Sequence, residues 1–148
     1  MLKKIISLNL KILLEEVRRR PIHFFRPVRE HAGTVRAYRE IGNAYRILGD
    51  FEMAKQCLSD ARKHMSWAQL SNGPEYALLL NDFGNLCHAQ GRLWRAEGHF
   101  SRAIDLNANH PVPGRELPHI GIAAVYRDLG LPELAAHHAR MGMIGSKL

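Results

Sequence analysis

Nine histidines and two cysteines are the side chains of this 148-residue sequence best suited to metal ligation, proton transfer or nucleophilic attack. Cys57 and Cys87 show neither a CxxC pair nor a metal-ligand spacing, and each falls inside an apolar helical pattern. Both therefore read as core thiols in a reducing compartment, which points to a cytoplasmic location. His137 and His138, with His88 and His99, are the best metal candidates. Adjacent histidines point to different sides of a helix, however, and the i, i+4 pair of a helical zinc site is missing, so no metal is assigned. The sequence has no GxSxG, no HExxH and no phosphate-cradling glycine loop. The expectation is a protein that is not an enzyme and needs no cofactor.

Charge narrows the partner classes. Lys and Arg number 21 against 14 Asp and Glu, a formal charge of +7, of which +5 lies in the first thirty residues and +2 in the remainder. The body is thus nearly neutral, and it has no ladder of aromatics for base stacking, so nucleic acid is disfavoured. Lys3 and Lys4 precede a run rich in Ile and Leu, but Lys11, Glu15 and Glu16 interrupt it before a membrane span or a signal-peptide cleavage site could form.

The elements that position these residues emerge from self-comparison. A shift of 42 places Gly42 on Gly84, Asn43 on Asn85, Gly49 on Gly91, Ala54 on Ala96 and Ala61 on Ala103; a further 39 carries Gly91 to Gly130, Ala96 to Ala135 and Cys87 to Tyr126. Each copy reads as two antiparallel helices. Tyr38, Ile41, Tyr45 and Leu48 form one apolar stripe, Gly49 ends the helix, Asp50 caps the next, and Phe51, Ala54, Leu58 and Ala61 face back. Gly42 with Ala54, Gly84 with Ala96 and Ala123 with Ala135 should let paired helices approach closely. The predicted fold is all-α: a helical-hairpin solenoid of three repeats (35–76, 77–115, 116–148), preceded by a basic amphipathic helix over 1–20 and a linker over 21–34.

The segments IGNAYRILGDFEMAKQCLSDA and FGNLCHAQGRLWRAEGHFSRA resemble tetratricopeptide repeats, and IAAVYRDLGLPELAAHHARMG is a weaker copy. Their long spacing is similar to that of the kinesin light chain variety. The resemblance implies a non-catalytic protein–protein interaction module, an adaptor, scaffold or assembly factor. In that family the ligand-facing positions lie on the first helix of each repeat, which here implies Arg36, Arg39, Asn43 and Arg46, then Asn81, Asn85 and His88, then Arg127. Guanidinium forks and asparagine amides suit an extended, acidic peptide. Arg39 and Asn43 also resemble part of the family's carboxylate clamp, but Leu117 and Gly121 stand where its third-repeat cations belong.

The alternative expectation is a subunit of a larger assembly or homo-oligomer that makes contact through its ends. In the N-terminal helix, Leu2, Ile6, Leu10, Leu13 and Val17 form one stripe, and Ile5, Leu8 and Ile12 lie on a neighbouring face. That helix reads as a cap buried on both faces against the first repeat and the loop around Phe24 and Phe25. The alternatives to that cap are a dimer or partner-binding helix, or a peripheral membrane helix whose cations meet anionic lipid. At the other end Leu134, Met141 and Ile144 lack the polar cap that solenoids normally carry. Trp67 and Trp94 are expected to close seams between repeats, the alternative being interface anchors.

Overall fold

The computed structural model describes residues 1–20, 28–108, 110 and 113–145. Among these residues there are seven helices and no strand: α1 (Leu2–Arg18), α2 (Val28–Leu48), α3 (Phe51–Trp67), α4 (Pro74–Ala89), α5 (Leu93–Asn107), α6 (Leu117–Asp128) and α7 (Pro132–Gly145). The all-α class, the three helical hairpins and the extra N-terminal helix are as the sequence predicts. The chain falls into two compact units, Met1–Ser71 with α1 to α3 and Asn72–Leu148 with α4 to α7.

One local device builds all three hairpins. Gly49, Gly91 and Gly130 have φ of +84°, +71° and +75°, the left-handed conformation that a Cβ disfavours. In each case two backbone bonds close the helix end: Asp50 N–H donates to Tyr45 O and Gly49 N–H to Arg46 O, and the same pair recurs at Arg92 with Cys87 and at Leu131 with Tyr126. This is the Schellman cap, which satisfies carbonyls the helix leaves orphaned. The glycine spacing of the sequence is therefore a spacing of chain reversals. Asp50 also fulfils its role, its Oδ1 accepting from Met53 N–H at 3.1 Å at the start of α3.

In the first unit α2 and α3 pack through Tyr38, Ile41 and Tyr45 against Ala54, Leu58 and Ala61, all buried. A Cβ on Gly42 would stand 3.2 Å from Cys57 Cβ and 3.1 Å from Leu58 Cδ2, so the glycine sits at the tight crossing. Two expectations need correction here. The linker over 21–34 is too long, because α2 begins at Val28. His31 and Thr34 are buried, and the His31 ring lies 6.0 Å from that of His64, so polar side chains with no apolar periodicity hold this extra turn in place. The N-terminal helix also buries a different stripe. Leu10, Leu14 and Val17 pack on α2, whereas Leu2, Ile6 and Leu13 do not reach the interior. Each residue turns the helix by about 100°, so burying Leu14 turns Leu13 away. The helix is thus not buried on both faces, and Phe24 and Phe25 lie outside the described residues.

The second unit is organised around Phe100 of α5, which is fully buried. A Cβ at Gly84 of α4 would lie 2.6 Å from its ring, and one at Gly121 of α6 would lie 2.4 Å from it. Two helices each lack a side chain where one aromatic ring must enter. That ring joins Ala96, Ile122 and Val125 in the core that holds α4, α5 and α6 together. Gly121, read as the replacement of a ligand-binding cation, is instead a packing residue.

Candidate functional site

The proposed ligand-facing residues lie on the first helix of each hairpin, α2, α4 and α6. On α2, Arg36, Arg39, Asn43 and Arg46 fall within an arc of about 80° at 3.6 residues per turn, opposite the buried Tyr38, Ile41 and Tyr45. Arg36 is exposed, and its Nε donates to Glu40 Oε1 at 2.9 Å, a surface pair that helix geometry brings together at i, i+4. Arg39, Asn43 and Arg46 are half-buried, and Arg46 Nε donates to Asn43 Oδ1 at 3.5 Å. The face is polar, and within it Arg46 and Asn43 contact each other.

In the second unit the expected residues converge from two helices. Asn81, Asn85 and His88 fall on one side of α4, within about 60°. His88 Nε2 lies 2.6 Å from Asp128 Oδ2 on α6, and since a carboxylate can only accept, the imidazole N–H donates. This clasp ties the ends of α4 and α6, which also pack against each other. Arg127, exposed, is the neighbour of Asp128 at that end. Asn85 is half-buried on the same side of α4, whereas Asn81 is only 6% exposed and its Oδ1 is sealed from solvent without a hydrogen-bond partner. Asn81 lies beneath the surface that Asn85 and His88 form. The 39-residue offset carries His88 to Arg127, and Asp128, one residue further at |i−j| = 40, is the partner that the offset leaves unmarked.

Elsewhere the reactive side chains are committed to packing. Both cysteines are free and buried; burial pushes the Cys57 thiol up to about 11 and raises that of Cys87, so neither is a ready thiolate. His99 stacks on Phe83 with ring centroids 5.6 Å apart. His119 Nδ1 and His138 Nδ1 meet at 3.0 Å between α6 and α7, which requires one ring to donate and the other to accept. Burial lowers the pKa of both, aided at His119 by His137 and at His138 by His119 and His137. Tyr126 Oη donates to Glu97 Oε1 at 3.1 Å beside them. Among the described residues no group of three His, Cys, Asp or Glu side chains is placed to hold a metal.

At the ends, Ile5, Leu8 and Ile12 on α1 and Leu134, Met141 and Ile144 on α7 are all exposed. Met141 and Ile144 border a depression of about 330 Å³ with Asn107, Arg115 and His119. Trp94 does not close a seam: it is 69% exposed in the first turn of α5, where the neighbouring Leu93 packs against the core instead. Trp67 is also exposed, edge-on to His64 at 4.9 Å.

Comparison with known proteins adds one match. The family model of the tetratricopeptide repeat matches residues 33–109, just over half of the chain, from α2 through α5. No curated protein matches the chain.

Proposed function

This chain belongs to the tetratricopeptide repeat family, whose repeats serve as protein–protein interaction modules, and from that premise we propose that it is a non-catalytic adaptor or assembly factor that holds an extended segment of a partner protein. The observation that carries this reading is the pairing of α4 and α6. Their clasp through His88 and Asp128 at 2.6 Å sets Asn85 and Arg127 on neighbouring helices of one unit. An asparagine amide offers a donor and an acceptor together, which matches the backbone of an extended chain, and Arg127 adds a fork for a carboxylate. On the first unit, Arg36, Arg39, Asn43 and Arg46 favour a ligand with acidic residues. The repeats are taken as the long variety similar to kinesin light chains, and the buried free thiols support a cytoplasmic protein.

Selection of binders from a displayed library of unstructured dodecapeptides, followed by hydrogen exchange on the complex, tests this. Protection gained on α4 and α6 is the expected result; protection confined to α5 and α7 would refute it. That second pattern would favour the other reading, in which the protein is a subunit of a larger assembly. The exposed Leu134, Met141 and Ile144 on the last helix support it, because apolar side chains grouped on one element mark interfaces.

A further inference from the structure

We propose that α1 lies in the interface of an anionic lipid bilayer. This is independent of the peptide-binding face. The helix buries Leu10, Leu14 and Val17 where it packs on α2. Leu2, Ile5, Ile6, Leu8, Ile12 and Leu13 are between 37% and 71% exposed. At 3.6 residues per turn these six sweep an arc of about 160°, adjoining the buried stripe on one side. Only Asn9 and Glu16 interrupt the arc until the arginines at its C-terminal end.

The other edge of the arc is basic. Lys4, Lys11 and Arg18 recur every seven residues and so form a strip along the helix, with Arg19 and Arg20 at its end. Arg18 is engaged by Glu15 at 3.3 Å and by Asp60 of α3 at 3.8 Å, so Lys4 and Lys11 are the cations of the strip that the proposal uses. A wide apolar face bordered by lysines, with the opposite side anchored to a folded body, is the layout of an interfacial helix: the apolar residues enter the acyl boundary while the lysine stems reach back to the headgroups. Anionic headgroups supply the charge complement.

A second copy of the chain fits the same face poorly. Seventeen residues make a helix about 25 Å long and roughly 10 to 12 Å across, so two such faces cover roughly 600 Å² in projection, against the ~1,200 to 2,000 Å² of a stable pair. Antiparallel pairing would also set Lys3 and Lys4 against the partner's arginine-rich end, a like-charge contact that opposes association. A lipid surface needs neither a matching shape nor a matching sequence.

The test is co-sedimentation of the full chain with vesicles of phosphatidylcholine alone and of phosphatidylcholine mixed with phosphatidylglycerol. The protein should pellet with the mixed vesicles, stay in solution with the neutral ones, and be released by salt. Ile5→Ser, Leu8→Ser and Ile12→Ser together should abolish pelleting. Lys4→Ser with Lys11→Ser, at exposed positions that the fold does not need, should weaken it about 25-fold, roughly fivefold for each cation withdrawn. Equal pelleting with both vesicles, retention by both variants, or no pelleting of the wild type would overturn the proposal. A wild-type dimer in sedimentation velocity that the triple variant converts to monomer, without vesicle binding, would assign the face to a second copy and overturn it as well.

Discussion

Gly121→Ala should destabilise the second unit although alanine is the better helix former. The glycine lies inside α6. Replacing an interior helical glycine with alanine ordinarily gains about 1 kcal/mol. Here the new methyl would lie 2.4 Å from two atoms of the Phe100 ring, which is fully buried and has Gly84 facing it from α4 at an equivalent 2.6 Å. The ring cannot swing aside without leaving its core, and overpacking of this kind costs ~1 to 3 kcal/mol. With the propensity gain subtracted, the net loss reaches up to about 2 kcal/mol for Gly121→Ala and slightly less for Gly84→Ala. In a unit of this size each kcal/mol lowers the melting temperature by about 4 to 8 °C. Two controls bracket the effect. Gly98→Ala on α5 meets nothing within 4 Å and should raise stability by about 1 kcal/mol, while Gly42→Ala, at 3.1 Å from Leu58 Cδ2, should come out near zero. Thermal and urea melts of the four variants give the series, and Phe100→Leu supplies the coupling test, because in that background the alanines should no longer cost anything. If Gly84→Ala and Gly121→Ala stabilise as Gly98→Ala does, Phe100 does not enter between α4 and α6.

Gln69 holds φ of +57° at the end of α3, where Leu70 N–H donates to Met65 O as at the glycine caps, so Gln69→Gly should stabilise by about 1 kcal/mol in a urea melt. Ala54→Leu and Ala96→Leu, at fully buried positions, should each cost ~1 to 3 kcal/mol in the same assay. Acidification should loosen the second unit. His119 and His138 have folded pKa values below the ordinary 6.5, so the unfolded chain takes up protons first and stability falls as pH drops below about 6.5; Glu97, which favours the charged form of His138, opposes this only in part. Melting at pH 7.5 and 5.5 should show the loss, and His138→Gln should reduce it.

The hairpins were legible in the sequence because their signals are local. A glycine at each reversal and three-four apolar spacing act over a single turn and repeat, and Asp50 adds a cap in the first hairpin. The start of α2 was not legible, since His31 and Thr34 owe their burial to contacts across the unit. Leu13 and Leu14 are chemically identical, and only the position of α2 decides which is covered. Gly121 shows the same limit in another form. Its aligned position suggested a missing cation, but its role depends on where a ring from α5 arrives. At the candidate site, Asn85 and His88 followed from their place in the repeat, whereas the sealing of Asn81 and the partnership of His88 with Asp128 required α6 to be in place.

Recognition of a partner segment on the α4 and α6 surface is proposed to run through Asn85. It is tested most directly by fluorescence anisotropy of a library-selected dodecapeptide titrated with wild type and with Asn85→Ala. Loss of a paired donor and acceptor should raise Kd about tenfold, equivalent to about 1.4 kcal/mol, with the melting curve unchanged. An identical Kd for the two proteins would contradict the account and move recognition to another face.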